Sequence, residues 1–190
     1  MSRIDLSRTG ETDLDAIARI SREAAVRLAD CYQCGTCSAG CPMSHEMDLT
    51  PRQLIHALQL GLLHRALEAR SPWVCALCQV CSVRCPQEVR IADLMLAVRH
   101  AAKRAGLRPV REPDVFDDIF VNNIRSRGRN NEALLAGFFN LKSGHLTQDV
   151  RNAPRMAARG MISPRFNQVR DRAAVRNLVD KVLRKGGGTV

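Results

Sequence analysis

The sequence predicts a mainly α-helical fold, with a cysteine-bearing domain set between helical N- and C-terminal extensions. Three observations predict it. Apolar residues recur at helical spacing along the chain. The segments they form open on capping residues or Thr-Pro and close on glycine. Eight cysteines fall into two copies of one pattern, Cys31-x2-Cys34-x2-Cys37-x3-Cys41-Pro42 and Cys75-x2-Cys78-x2-Cys81-x3-Cys85-Pro86, with none left over. At 190 residues and 45% apolar content the chain can bury a modest core, but aromatic content is only 4%. The cysteine-rich half must therefore lean for stability on whatever the cysteines bind.

Each element follows from local signals. Thr12 is the expected N-cap of a helix from about Asp13 to Ala29, with Leu14, Ile17, Ala24, Ala25 and Leu28 on one side and Arg19, Arg22 and Glu23 on the other. Thr50-Pro51 combines a cap with proline at the first helical position, and Leu54, Ile55, Leu58 and Leu62 follow at helical spacing. Gly61 ends or kinks that helix before a turn through Leu63, Ala66 and Leu67. Ser71-Pro72-Trp73 leads into the second cysteine motif, where Trp73 and Val74 are expected to lid the site against water. Ile91 to Val98 opens a helix reaching about Ala105, with Gly106 as its stop.

Pro113 to Arg127 reads as an amphipathic helix using Val115, Phe116, Ile119 and Phe120, ended by Gly128. Leu134 to Leu141 has few charges to give it a solvated face, so it must be buried inside the chain or against a partner. Pro154 is expected to break the next helical stretch. Ser163-Pro164 should start the last one, which runs to about Lys185 with Val169, Ala173, Leu178, Val179 and Val182 inward. Gly186 to Gly188 reads as a flexible tail.

The duplicated spacing is that of a chain holding two [4Fe-4S] clusters. Each iron of a cubane takes one thiolate, and three cysteines spaced by two residues wrap three corners in one turn. The fourth, followed by proline, points away and ligates the other cluster. On this crossed scheme Cys31, Cys34, Cys37 and Cys85 hold one cluster, while Cys75, Cys78, Cys81 and Cys41 hold the second. Gly35 and Gly40 would let backbone N–H groups approach the first. Structural zinc is the main rival, although its cysteines usually come as separated pairs. Disulfides are disfavoured because residues 1 to 20 mix Arg3, Asp5, Arg8, Glu11, Asp13 and Asp15 with no apolar run, so no secretory leader and a cytoplasmic location are expected. With eight cysteines for eight irons, neither cluster has an open site for substrate, and no catalytic residue is expected in this chain.

The net charge of +10 is unevenly placed. Residues 1 to 98 hold ten Lys and Arg against eleven Asp and Glu, whereas residues 99 to 190 hold nineteen against eight. Two oxidised clusters with their thiolates would bring the total to about +6 and leave a dipolar molecule suited to steering toward an acidic partner surface. No apolar run approaches the roughly 20 residues of a membrane span. His45, His56, His64, His100 and His145 are scattered, and no phosphate loop or GxGxxG fingerprint occurs. Arginines at 151, 155, 159, 165, 170, 172 and 176 are dispersed, with Phe166 alone available for stacking, so a solvated or partner-matched basic face is favoured over nucleic-acid binding.

Cys31-Tyr32-Gln33-Cys34-Gly35-Thr36-Cys37-Ser38-Ala39-Gly40-Cys41-Pro42 and Trp73-Val74-Cys75-Ala76-Leu77-Cys78-Gln79-Val80-Cys81-Ser82-Val83-Arg84-Cys85-Pro86 closely resemble the C subunit of heterodisulfide reductase and its bacterial relatives. The Thr-Pro helix between the motifs and Val89-Arg90-Ile91-Ala92-Asp93 after the second also match. Arg127-Gly128-Arg129-Asn130-Asn131-Glu132 looks like a Gly-Arg-x-x-Glu segment of these proteins. The resemblance is strong over residues 28 to 105 and weaker beyond. It implies an electron-transfer iron-sulfur protein passing electrons between a flavin-containing A subunit and a catalytic B subunit with CCG motifs. This chain has no CCG motif of its own. The implied organisation is a helical lead-in at 1 to 30, an α-helical two-[4Fe-4S] ferredoxin-type domain at 31 to 105, and a basic helical partner-docking extension at 106 to 190. Alternatives are the iron-sulfur subunit of another cytoplasmic dehydrogenase and a nucleic-acid-binding protein with structural clusters.

Overall fold

The computed structural model describes residues 10–145, 152–160 and 169–186, and among them helices dominate and no strand occurs. The chain divides into two compact units between Pro109 and Val110. The first unit contains helix α1 (Glu11–Glu23), two single-turn helices α2 (Thr36–Ala39) and α6 (Val80–Val83), and the longer α3 (Pro51–Gln59) and α7 (Ile91–Arg104). Short helices α4 (Leu63–Leu67) and α5 (Ser71–Val74) link them. The core lies where α1, α4 and α5 close on α7 and α3 packs on α4, and it buries Ile17, Ile20, Leu54, Ile55, Leu58, Leu94, Met95 and Val98. Each such side chain contributes about 1.5–3 kcal/mol by leaving water.

Helix α1 differs from expectation at both ends. Its N-cap is Gly10 rather than Thr12, and it stops at Glu23 because Ala25 turns left-handed at φ 52°. A separate 3-10 turn, Leu28–Asp30, then delivers the chain to Cys31. Ile17, Ile20 and Ala24 are buried as the apolar stripe requires, but Leu14 is 57% exposed and Ala25 is exposed. Glu23 ties the end of α1 to α7, accepting from Arg104 at 2.7 Å and pairing with His100 at 2.8 Å. Burial opposes its charge, yet these two partners hold its carboxyl below the usual range.

Helix α3 begins as its Thr-Pro predicts, and Gln53 reaches back to accept from the Thr50 N–H at 2.9 Å and the Thr50 hydroxyl at 3.0 Å. Gly61 ends it with φ 76°. The base of this helical insert is closed by a polar clasp. Asp48 accepts from the Arg70 N–H at 2.9 Å, the Leu49 N–H at 2.9 Å, the Ser71 N–H at 3.0 Å and the Ser71 hydroxyl. Ser71 is fully buried and accepts from the Leu49 N–H at 2.9 Å. Trp73 is buried with the Arg99 guanidinium 4.9 Å above its ring.

The second unit pairs α8 (Arg111–Arg127) with α9 (Glu132–Ser143), and α11 (Arg172–Gly186) also packs on α8. Gly128 terminates α8 in the left-handed region, and Asn131 caps α9 by accepting from the Leu134 N–H at 3.0 Å. Phe116 stacks on Phe120 and meets Phe139 edge-on at 5.9 Å. Pro154 lies inside a short helix, α10 (Ala153–Ala158), at its second position, where a missing N–H costs nothing. Helix α11 turns a different stripe inward than expected: Ala173, Leu178 and Val182 are exposed, while Val175, Val179 and Leu183 are partly covered. Val169 is exposed as well. Ser163-Pro164 and the tail beyond Gly186 lie outside the described residues.

The clasp generates a prediction. Burial works against ionisation of Asp48, but the Ser71 hydroxyl and three backbone N–H groups outweigh it and hold its carboxyl below the usual range. Asp48→Ala should lower stability by about 2 kcal/mol, the scale of hydrogen bonds to a charged acceptor. Because the folded pKa is depressed, this contribution is full above the unfolded carboxyl value of about 3.9 and fades as pH falls through the folded value. Thermal melts of wild type and variant at pH 7 should differ by the full amount. The gap should be unchanged at pH 5.5, and a gap already halved there would refute the assignment.

Candidate iron-sulfur site

The two cysteine loops have the same backbone built from unlike side chains. In the first, Gln33 and Gly35 are left-handed at φ 65° and 87°; in the second, the equivalent Leu77 and Gln79 are left-handed at φ 52° and 63°. Leucine and glutamine avoid this region, at a cost of order 1–3 kcal/mol each, so the shape is imposed by the site rather than preferred by the residues. Alternating left- and right-handed residues turn successive N–H groups toward one side, making a concavity of the kind that holds anions and iron-sulfur clusters.

The likeness extends beyond the loops. Each third cysteine is the second residue of a single helical turn, α2 or α6, and the two turns pack on each other. Ser38 accepts from the Arg52 N–H at 2.9 Å, and Ser82 accepts from the Ala92 N–H at 3.2 Å. Arg52 and Ala92 are each the second residue of the helix after their motif. One serine thus docks each loop onto its following helix. Gly40 and Arg84 are equivalent positions, and they meet: a Cβ on Gly40 would overlap the Arg84 guanidinium. Gly40 has an ordinary φ of −93°, so its role is to make room for Arg84, not to turn the chain toward a cluster.

The structure brings Cys75, Cys78 and Cys81 together with Cys41 of the other motif. These four line one recess of about 360 Å³, counting the space open to solvent, whose remaining walls include Pro42, Met43, Met47 and Met95. Cys85, like Cys31 and Cys34, is near enough to Tyr32 to act on its charge. Trp73 is buried, and neither it nor Val74 lines the recess of Cys41 and the second triplet.

None of the eight cysteines is in a disulfide. Burial pushes the Cys81 thiol up to about 11, and negative charge on Cys75 adds to this. Burial likewise raises Cys37 and Cys75. Cys34 is exposed and moves the other way, because the Thr36 hydroxyl and N–H donate to it, with a further hydrogen bond from Tyr32. Thiolates in the buried positions need a cation beside them, which is what an iron core supplies. Among the described residues no three His, Cys, Asp or Glu side chains converge closely enough on one metal ion. A tetrahedral zinc would need thiolates about 2.3 Å from a single point, whereas a cubane takes each thiolate on a separate iron. The donor set and its spread fit two cubanes.

Sequence reading missed several hydrogen bonds here. Gln33 donates to the Cys31 sulfur at 3.5 Å and to Gln59 at 2.9 Å, and Gln59 donates to the carbonyls of Leu28 and Cys31 at 2.8 Å each. Helix α3 therefore props the first loop from outside. Thr50-Pro51 located α3, but nothing local marked Gln59 as a brace. Three histidines are peripheral: His45 pairs with Glu46, His56 sits beside Gln59 and His145 beside Ser143. No helix among the described residues is long and apolar enough to cross a membrane.

Residues 27–89 match the family described as the 4Fe-4S dicluster domain. The chain is 36% identical over 84 residues to the iron-sulfur C subunit of the CoB–CoM heterodisulfide reductase of Methanopyrus kandleri, covering 44% of each chain. It is 37% identical over 97 residues to a protein of Archaeoglobus profundus named as like the C subunit of heterodisulfide reductase, covering 50% of this chain and 52% of that one. It is 31% identical over 102 residues to the C subunit of the H(2):CoB-CoM heterodisulfide,ferredoxin reductase of Methanothermobacter thermautotrophicus, covering 54% and 55%. The chain spans about half the length of the curated relatives it matches. The duplicated loops are thus those of a 4Fe-4S dicluster domain similar to the C subunit of heterodisulfide reductase, and they hold two [4Fe-4S] clusters.

Proposed function

We propose that this chain is the electron-transfer iron-sulfur component of a heterodisulfide reductase-like complex, relaying electrons between a flavin-containing A subunit and a CCG-containing B subunit. The observation that carries the reading is the single recess lined by Cys41 with Cys75, Cys78 and Cys81. A cysteine lent across from the neighbouring motif puts two cofactors side by side, which is what a relay needs and what a purely structural metal does not. Bound there, the clusters supply reversible one-electron chemistry. The protein holds them with eight cysteines, shapes the loops with left-handed residues, and leaves Cys34 and Cys78 exposed where a partner can approach. The names of the relatives as C subunits support a hetero-oligomeric setting.

The ligand sets we propose are crossed: Cys31, Cys34, Cys37 with Cys85, and Cys75, Cys78, Cys81 with Cys41. The basic second unit is proposed as the partner-docking extension. Helix α9 carries no buried residue, and Phe138 and Leu141 are 48% and 65% exposed. Phe139 is instead engaged with Phe116, so the docking surface centres on Phe138 and Leu141.

Three outcomes test this. Anaerobic purification from the native host should recover a flavoprotein and a CCG protein with about eight irons per chain; a lone chain, or zinc in place of iron, would refute it. Cys85→Ser should damage the cluster of the first triplet, with Cys41→Ser doing the reverse, as read by electron paramagnetic resonance of the reduced protein. Loss confined to the opposite cluster would exclude crossing. Changing Phe138 and Leu141 together to Ser should release the partner proteins at least tenfold more easily, about 1.4 kcal/mol, while cluster absorbance stays intact.

A further inference from the structure

The two loops share a backbone but not the groups aimed at their sulfurs. Around the first triplet, Thr36 Oγ1 lies 3.4 Å from Cys34 Sγ, and Gln33 Nε2 donates to Cys31 Sγ at 3.5 Å. Tyr32 adds a phenol hydrogen bond to Cys34. An iron-bound thiolate carries no proton, so Thr36 and Tyr32 are the donors. At the equivalent places around the second triplet stand Ala76, Leu77 and Val80, whose side chains cannot donate. The recess there is walled by Met43, Met47 and Met95.

Other influences are matched between the loops. Ser38 and Ser82 follow the third cysteine in each and make the same contacts to it and to the next helix. Arginines flank both loops: Arg52 lies against Gly35, Arg84 against Gly40, and Arg99 acts on Cys75. Cys34 and Cys78 are both exposed. The hydrogen bonds are what distinguishes the two sites. Reduction adds a negative charge shared with the thiolate sulfurs; donors to those sulfurs stabilise the reduced form, and apolar walls do not.

We propose that the cluster of the first triplet has the higher reduction potential, because Tyr32, Gln33 and Thr36 donate to the sulfurs of Cys31 and Cys34 while Ala76, Leu77 and Val80 leave the equivalent Cys75 and Cys78 without side-chain donors. Resting on the electron-relay reading above, this gives the relay a direction: an electron shared by the pair resides on the first-triplet side, beside exposed Tyr32. The exchange moves one electron from the second cubane to the first, with no proton or bond change. Tyr32, Gln33 and Thr36 are tuning residues and touch no substrate.

The test is a redox titration of the full-length, cluster-loaded protein followed by electron paramagnetic resonance, with iron counted on the same sample. Wild type should show two midpoints. Tyr32→Phe combined with Thr36→Val should lower only the upper one, on the order of tenfold in the reduction equilibrium, or about 59 mV for one electron. The transplant, Ala76→Tyr with Val80→Thr, should raise only the lower one and narrow the gap. It decides the matter where the first variant fails to load. Coincident midpoints, movement of the opposite midpoint, or no movement in either variant would overturn the assignment. Fewer than two clusters per chain would instead refute the relay reading itself.

Discussion

A buried thiolate is stable only beside positive charge, and the first unit is organised around that constraint. Cys37 and Cys81 are the buried members of their triplets and stand at the start of α2 and α6, the two turns that pack together. As free thiols they resist ionisation. Bound to iron they become fixed points from which both loops, and the helices following them, take their positions. The hydrophobic core of α1, α3, α4 and α7 holds the periphery of the unit, but its aromatic content is too small to dictate loop shape. The left-handed Leu77 and Gln79 show the consequence, since a conformation neither residue favours is kept because four sulfurs must face one cubane.

The same constraint explains why two sequences that share little besides cysteine, serine and proline have one backbone. What the site requires of each loop is a path, not a set of side chains, and Ser38 and Ser82 secure that path to the next helix. Side chains between the cysteines are then free to differ in polarity. At Gly40 and Arg84 the two copies differ and meet, the Arg84 guanidinium occupying the space that a side chain on Gly40 would enter.

Much of this was legible in residue types. The cysteine spacing announced the clusters because the chemistry allows few alternatives, and Thr50-Pro51, Gly61, Gly106 and Gly128 marked helix ends because capping and left-handed turns are local. Where the reading failed, the deciding interaction was remote or the pattern was degenerate. Ala25 ends α1 by a backbone turn that alanine does not advertise. In α11, Val175, Val179 and Leu183 lie one position from a second apolar stripe through Ala174, Leu178 and Val182, so periodicity alone cannot say which faces α8. Asp48 carries no local signal of its role, because its partner, Ser71, stands 23 positions away.

That last pairing alters the topology of chain assembly. Cys31 and Cys75 are separated by 44 positions, and bringing them together means closing a loop of that length. The Asp48–Ser71 clasp spans 23 of those positions and short-circuits the helical insert, so the remaining path is about half as long. Halving a flexible loop spares about 0.6 kcal/mol of closure entropy. The insert is therefore held at two levels, at its base by Asp48 and Ser71 and along α3 by Arg52 and Gln59, so its length is tied to the position of the first cysteine loop.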